Sequence, residues 1–546
     1  MTTWPVHLQV LPIVIPLMAG GAMLLLKESE HKIRVSLAIL STTAQLATAV
    51  ALLYLAAGGV PGLWRHDIGS YALGGWPAPF GIVMVVDRLA AVMLTLNATL
   101  GLCVLVYACA RWDRAGAHFH PLFQFLLMGL NGAFLTGDLF NLFVFFEILL
   151  AASYGLMLHG SGAARVGTGL HYVVVNLLAS LLLLIGIAVA YGTTGTLNLA
   201  DMAMRASRLT STHRHLFDAG MAILGTGFLA KAAAWPLNFW LPGAYASACA
   251  PVAAAFAIMT KVGIYALLRL ESLLPPPQAS TAFRGQWMFA IGIATLIFGT
   301  LGLLTTRQIP RLAAYCIIIS AGTLLAALGM PGIMLTGPAL YYLVVSVLAA
   351  AAFFLLAEMV ERTQPFGANL LAVSQEAFDL GEADPDAPTY EEAGVAIPAA
   401  LVFLGLTFAA CALLLSGLPP LSGFIAKFAL LSTLLHPPGG TATSWNAWLL
   451  FATLLVSGLA AVVALCRAGV QLFWGTDTIT VPRLHPAEAA PVAVLVAVCI
   501  ALTVWAEPAL VYLEDTALSL DHPSDYIDAV LAPRGAAVPG AGAQSQ

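Results

Sequence analysis

Charged residues are scarce in this chain of 546 residues, where they make up only 9%. An average soluble protein has about 25%. Only five lysines are present and the net charge is −5, which excludes a basic surface for nucleic acid. Repeated apolar runs, each near the length of a bilayer-spanning helix, take the place of the missing charge. They predict an all-α polytopic membrane protein in the lipid bilayer.

Motifs of cofactor and metal chemistry are missing too. The seven cysteines fall in apolar segments and form no CxxC pair, so they offer no iron–sulfur or zinc framework. His118 and His120 flank a phenylalanine, but this spacing alone is a weak indication of a metal site. No P-loop, nucleophile elbow or HExxH motif occurs. We therefore expect no cofactor and no metal ion.

The apolar segments predict about fourteen transmembrane helices. The twelfth segment is too long for one straight helix and carries Pro419 and Pro420 in its middle, so it is interpreted as a single broken span. The predicted spans lie near residues 8–26, 34–57, 87–110, 121–137, 139–158, 170–191, 216–241, 249–271, 287–304, 312–330, 335–357, 397–435, 444–466 and 487–507.

Basic residues in the loops indicate the orientation. If the N-terminus is outside, the odd-numbered loops hold eleven lysines and arginines, whereas the even-numbered loops and the tail hold seven. Because cytoplasmic loops carry the excess, this bias predicts an outside N-terminus. The start of the chain lacks the basic region of a signal peptide, so the first span is expected to be retained.

Three loops and the tail have distinctive compositions. Residues 58–86 are rich in Gly and Trp and are predicted to form a hairpin. Residues 192–215 favour an interfacial amphipathic segment. Residues 358–392 carry nine acidic residues, for which a solvated loop is favoured over a surface that attracts cations or docks a partner. The polar residues after Pro533 predict a flexible tail.

Two sets of five spans indicate internal symmetry. Spans four to eight contain a broken helix with a lysine, as do spans nine to thirteen. An odd number of spans would invert the second set, which predicts an ion pathway at mid-membrane. The chain is accordingly divided into 1–120 (spans one to three), 121–272 (first repeat), 287–467 (second repeat) and 468–546 (span fourteen and tail).

Two acidic residues belong to the fifth span. Glu147 lies near its middle, where ionisable residues usually serve a function. We favour a proton-binding carboxylate near a lysine over a neutral glutamic acid that only joins helices. Asp138 begins the same span, and an N-cap is favoured there over a member of a proton relay.

Lys231 lies in the seventh span ahead of two prolines. Pro236 and Pro242 remove the amides that would bond the carbonyls of Ala232 and Asn238, so two helix breaks are expected. Within a membrane only protein or cavity water can satisfy such carbonyls. A lysine beside a wet break is suited to proton exchange, and the alternative is a permanent structural ion pair.

Two more lysines lie inside apolar spans. Lys261 is expected about 15 Å into a helix that starts at Pro251. A role on a polar axis is favoured over snorkelling to the interface. Lys427 is interpreted as a terminal proton site, and it follows a break formed by Pro419, Pro420 and Gly423.

Three stretches carry a family resemblance: GDLFNLFVFFE, AKAAAWPLNFWLPGAYASACAPVAAAFAIMTKVGIYALLR and SGLPPLSGFIAKF. They resemble the antiporter-like subunits of energy-converting complexes, which include membrane subunits of NADH:quinone oxidoreductase and of membrane-bound hydrogenases. The strongest resemblance is to the D subunits of Mrp-type (Pha, Mnh) multisubunit monovalent cation/proton antiporters.

The resemblance implies fourteen helices with inverted five-helix repeats, in a bacterial plasma (inner) membrane. It implies partners in a hetero-oligomer with other antiporter subunits, and H⁺ and Na⁺ or K⁺ as ions. It also implies a hydrated proton axis that comprises Glu147, Lys231, Lys261 and Lys427.

Span eleven departs from the family pattern. Relatives commonly read YYLLHSTLVKAALFLL, whereas this chain reads YYLVVSVLAAAAFFLL and has Val345 and Ala350 in place of histidine and lysine. Either water completes the relay or each half handles its ions separately. Hydroxyls that could assist such water belong to Ser320, Thr323, Tyr342 and Ser346.

The leading hypothesis is a proton-translocating subunit of a secondary antiporter, not an enzyme, that exchanges cytoplasmic Na⁺ or K⁺ for external H⁺. The first alternative is a proton-pumping membrane subunit of an NADH:quinone oxidoreductase or hydrogenase complex. The second is a degenerate scaffold, which the three intramembrane lysines argue against.

Overall fold

The computed structural model describes residues 7–274, 285–362, 399–436, 444–473 and 484–531. These residues are mostly α-helical. The strands β1 and β2 span Gly69–Ala72 and Val83–Val86. Helices α1 to α20 span, in order, Leu11–Leu25, His31–Ala56, Arg88–Ala108, Phe119–Leu135, Leu139–Met157, Ala163–Thr194, Leu199–Ala206, Ser211–Lys231, Trp240–Ser247, Ala250–Phe256, Met259–Leu273, Gln286–Thr305, Ile309–Leu328, Thr336–Glu361, Ala399–Ser416, Ser422–Leu435, Trp445–Phe473, Pro486–Val504, Ala506–Leu520 and Pro523–Leu531.

Long apolar helices dominate the molecule. Within the described ranges, eleven helical segments are long and apolar enough to cross a membrane, and α1, α4 and α16 are shorter apolar helices. The prediction of a polytopic α-helical membrane protein is therefore confirmed. Each of the fourteen predicted spans coincides with one or two helices. The number of membrane crossings and the inverted repeats remain predictions.

The N-terminal connections agree with their composition. β1 and β2 pair antiparallel, with Gly69 opposite Val86, which confirms the predicted hairpin in 58–86. The Gly137 amide donates to the Val83 carbonyl at 2.8 Å, so the hairpin also fixes the start of α5. In 192–215 the structure has α7, a short helix with a buried apolar side and an Asp201–Arg205 ion pair of 2.9 Å.

Two features lie beyond the predicted spans. Helices α19 and α20 follow the fourteenth predicted span, and α20 packs on α7 and β1. Most of the acidic segment 358–392 and the tail after Pro533 lie outside the described residues.

Helix α14 occupies the centre of the bundle. It packs against α10, α13, α15, α16, α18 and α19, and buried side chains follow one another along its length. Small residues also allow α12 to pack closely on α13. A Cβ on Gly292 would lie 2.3 Å from the Ala326 nitrogen, so the two backbones are in direct contact.

Of the two prolines in the first predicted break, only Pro236 lies between helices. Helix α8 ends at Lys231, and Pro236 lies in the irregular segment before α9. Pro242 lies in the first turn of α9, where its missing amide needs no partner. The Asn238 carbonyl is not freed either, because it accepts from the Leu241 amide at 3.2 Å. The prediction that Pro242 breaks a helix was therefore wrong.

The eighth predicted span is broken as well, which the sequence did not predict. Helix α10 ends at Phe256 and α11 begins at Met259. Lys261 consequently lies in the first turn of α11, and its amide donates to the Ile258 carbonyl at 2.9 Å. Ala257 and Ile258 nevertheless keep right-handed helical φ and ψ, so the break is an irregular turn within one apolar span from Ala250 to Leu273, and no proline or glycine marks it.

The break in the twelfth predicted span is confirmed. Helix α15 ends at Ser416 and α16 begins at Ser422, with Pro419 and Pro420 between them. Gly423 already belongs to α16, so it does not interrupt the helix. It allows α16 to pack closely against the end of α15. A Cβ at this position would lie 2.0 Å from the Leu414 carbonyl oxygen.

Candidate functional site

The lysine of the first break is buried between α5, α6 and α8. Lys231 is 5% exposed, and its Nζ donates to Ser180 Oγ at 3.0 Å. The same Nζ lies 5.1 Å from the centre of the Phe146 ring, a cation–π distance. In the described part of the chain, Lys231 forms no ion pair within 4.0 Å. A direct Glu147–Lys231 salt bridge is therefore not formed.

Glu147 nevertheless faces the same region. Its charge interacts with Lys231 and with the Tyr154 hydroxyl. Glu147 Oε1 and Tyr154 Oη are both enclosed and have no hydrogen-bond partner among the described residues. The first half of the site thus contains an acid, Glu147, and a base, Lys231, that interact without direct contact. Lys231 donates its hydrogen bond to Ser180 instead.

Lys261 occupies the most enclosed position of the three lysines. It is 1% exposed, and its Nζ has no hydrogen-bond partner among the described residues. The adjacent Thr260 Oγ1 and, near the first break, Asn238 Nδ2 are enclosed in the same way. Polar atoms of this kind are normally satisfied by ordered water, because leaving them unpaired costs about 1–3 kcal/mol each.

Lys427 lies at a small cavity beside the second break. Its Nζ donates to the Ser416 carbonyl at 2.7 Å, at the end of α15. The cavity has about 20 Å³ of room for the centre of a water molecule, enough for roughly one water. Its polar lining comes from Lys427, Ser320, Tyr342, Ser346 and Ser457.

The structure brings three of the four predicted hydroxyls to Lys427. Ser320 Oγ donates to Ser346 Oγ at 2.8 Å, and Tyr342 lines the same cavity. Thr323 does not line the cavity, and its hydroxyl donates to the Ile319 carbonyl at 2.9 Å. Val345 forms an apolar part of the wall, and Ala350 is buried further along α14.

Asp138 is an N-cap, as predicted. Its Oδ1 accepts from the Asn141 amide at 2.9 Å at the start of α5. Burial raises the pKa of this carboxyl, while the amides of Asn141 and Phe140 lower it. The role as a helix cap explains why an aspartate occupies this position, and no role in a proton relay is needed to explain it.

A buried ion pair involves Arg269, which lies near the end of the eighth predicted span and was not among the predicted site residues. Arg269 lies in α11 and binds both oxygens of Asp87 at 2.6 and 2.8 Å. The rings of Tyr265 and Tyr526 lie 5.5 and 5.2 Å from its guanidinium carbon. This cluster joins α11 to the start of α3 and to α20.

Ser180 was missed for a different reason. It is a single hydroxyl within the apolar run LLASLLLLIG, and its importance depends on α8 packing against α6. The signal available in the sequence is only that a polar residue occupies an otherwise apolar helix.

Buried lysines beside helix breaks, enclosed by long apolar helices, define a class: polytopic membrane proteins whose intramembrane ionisable residues mark an ion pathway. The family described as "NADH:quinone oxidoreductase/Mrp antiporter, TM" matches residues 136–460, more than half of the chain. The chain belongs to this family of membrane subunits.

Two relatives match over almost their full length. The D subunit of a probable K⁺/H⁺ antiporter from Rhizobium meliloti (strain 1021) is 49% identical over 540 residues, which covers 98% of this chain and 99% of the relative. The D subunit of a Na⁺/H⁺ antiporter from Alkalihalophilus pseudofirmus is 32% identical over 532 residues, which covers 96% and 99%.

Solved structures have the same fold. A chain of the Mrp complex from Dietzia sp. DQ12-45-1b superposes with a TM-score of 0.80 at 25% identity, covering 97% of this chain and 100% of the other. A chain of respiratory complex I from Thermus thermophilus has a TM-score of 0.71 at 20% identity, covering 95% and 99%. The second likeness concerns the fold alone.

Proposed function

We propose that this chain is the proton-translocating subunit of a multisubunit secondary antiporter that exchanges cytoplasmic Na⁺ or K⁺ for external H⁺. One observation carries the proposal: Lys231, Lys261 and Lys427 are all buried, and each lies within about two turns of a helix break. The names of its relatives agree with this proposal and leave the choice of cation open.

The first half-site works as a switch. Lys231 is held by Ser180 and Phe146 rather than locked into a salt bridge, while the Glu147 carboxylate remains in electrostatic range. A proton that arrives at Glu147 removes its negative charge and weakens the attraction on Lys231. Lys231 then releases its proton more readily, so the pair passes a proton without a change of fold.

The later steps use Lys261 and Lys427. The unpaired Nζ of Lys261 is suited to receive a proton through cavity water at the break between α10 and α11. At Lys427 the Ser416 carbonyl fixes the ammonium group, and Ser320, Tyr342 and Ser346 supply hydroxyls that orient a water. With Val345 in the wall, transfer into this cavity passes along hydroxyls rather than a histidine.

The chain is proposed to act in a bacterial inner membrane, with its N-terminus outside, as part of a hetero-oligomer with other antiporter subunits. The two five-helix repeats are proposed to comprise 121–272 and 287–467. The likeness to a chain of the Mrp complex supports the place in a multisubunit complex.

The test compares two lysine variants in vesicles that contain the assembled complex. Lys231→Ala is expected to abolish cation-dependent proton exchange, while Lys32→Ala, which removes an exposed lysine, leaves it unchanged. Proton movement is followed with a pH-sensitive dye after addition of Na⁺ or K⁺. Normal exchange by an assembled Lys231→Ala variant, or proton movement that requires an electron donor, would contradict the proposal.

A further inference from the structure

Three side chains from separate parts of the sequence meet at one end of the bundle. They are His31 at the start of α2, Asp113 in the turn before α4, and His120 in the first turn of α4. Each offers one ligand atom, and these atoms lie within 4.8 Å of one another. Both segments belong to loops that the distribution of basic residues predicts to be cytoplasmic.

The contacts within this group are not hydrogen bonds. His31 Nε2 lies 2.9 Å and His120 Nε2 lies 3.5 Å from Asp113 Oδ2. None of these atoms meets hydrogen-bond geometry with any described residue, and the same holds for Asp113 Oδ1. The side chains of Asp113 and His120 are only 1% and 3% exposed. A buried carboxylate without a hydrogen bond is stabilised by a positive charge beside it, which an imidazolium or a metal ion would supply.

The spacing suits a small transition-metal ion. Tetrahedral Zn²⁺ with ligands about 2.0–2.2 Å away has neighbouring ligand atoms about 3.3 Å apart. The observed separations of 2.9 and 3.5 Å bracket that value, and the remaining one is at most 4.8 Å. Two imidazoles and one carboxylate form a donor set that binds Zn²⁺ well.

The surroundings leave room for a fourth ligand. An open cleft is lined by His31, Asp113 and His120, and His31 is 30% exposed to it. Arg34 also lines the cleft; its Nη2 donates to the Leu26 carbonyl, and its Nε has no hydrogen-bond partner among the described residues. The nearby His159 is already engaged, because its Nε2 lies 2.7 Å from the Trp112 carbonyl oxygen.

We propose that His31, Asp113 and His120 bind one Zn²⁺ ion, with Nε2 of each histidine and a carboxylate oxygen as ligands and a water from the cleft as the fourth. Bound metal would tie the start of α2 to the start of α4. The site is separate from the buried lysines, and its occupancy does not depend on whether the chain transports protons.

The test measures zinc in the purified complex after equilibration with ZnCl₂ and desalting. The wild type is expected to retain about one Zn²⁺ per chain more than Asp113→Asn or His120→Gln, and binding should weaken at least about tenfold in each. His213→Asn is the control, because His213 is exposed at the start of α8, lies outside the group of ligands and does not line the cleft. Equal zinc content and affinity in wild type and ligand variants would overturn the proposal.

Two further measurements keep the test decisive if a buried variant fails to assemble. His31→Gln changes a partly exposed side chain at a helix start and should also release the zinc. Co²⁺ added to the wild type should produce the visible absorption of a four-coordinate site, which competing Zn²⁺ abolishes. The absence of that absorption in the wild type would refute the site.

Discussion

Ser180 is predicted to support the buried charge of Lys231, and Ser180→Ala tests that role. Among the described residues, Ser180 Oγ is the hydrogen-bond partner of Lys231 Nζ, at 3.0 Å. The substitution removes one buried hydroxyl and leaves the apolar packing of α6 on α8 in place. We therefore expect normal assembly of the complex and impaired exchange.

The size of the effect follows from the contacts that remain. A hydrogen bond to a charged group contributes about 1.5–3 kcal/mol. The Phe146 ring stays 5.1 Å from Nζ and retains about 0.5–2 kcal/mol of cation–π attraction, which limits rearrangement of the lysine. If about 1.5–3 kcal/mol of this stabilisation is lost in the rate-limiting step, the exchange rate falls roughly 10- to 150-fold.

The assay is cation-driven proton movement in vesicles, with the amount of assembled complex measured in parallel. Thr226→Ala is the control, because it removes a hydroxyl from α8 whose hydrogen-bond partner, among the described residues, is the Ala222 carbonyl of the same helix. An assembled Ser180→Ala variant with wild-type exchange, while Lys231→Ala is inactive, would refute the assigned role of Ser180.

Two other predictions separate structural from functional acids. Asp138→Asn should retain most of the exchange activity, because Asn also caps helices well. Glu147→Gln should abolish exchange, because it removes the buried proton-binding carboxylate. Loss of exchange in both assembled variants would make Asp138 a member of the proton relay. Asp87→Asn should destabilise the chain by about 3–5 kcal/mol, since it leaves the Arg269 charge buried without its counterion. In the same thermal-unfolding measurement Arg88→Ala, which opens a more exposed ion pair, should cost less than about 1 kcal/mol.

The helix breaks show how far sequence reasoning reaches. Pro419 and Pro420 mark their break correctly, because a proline inside a helix removes a backbone donor wherever it occurs. Pro242 was misinterpreted, since a proline in the first turn of a new helix produces the same sequence pattern without a break. The irregular turn before Lys261 contains no proline or glycine, so no residue type in the sequence marks it.

The candidate site shows the same division. Glu147 and the three lysines could be chosen from the sequence because a charged residue in an apolar run is conspicuous. The partner of Lys231 could not be chosen: Ser180 lies 51 residues from it, and hydroxyls are common in membrane helices, so only its proximity distinguishes it. Ser320, Tyr342 and Ser346 were predicted as candidate hydroxyls, and the structure adds that they line the cavity of Lys427.

The amino-acid sequence by itself determined the class of the protein, the approximate positions of its helices and the buried ionisable residues, because apolar length and misplaced charge are local properties. Only the tertiary structure decided that Lys231 rests on Ser180, that Arg269 binds Asp87 and that His31, Asp113 and His120 converge. Each of these contacts joins segments far apart in the chain, and helix packing alone sets the distance between them.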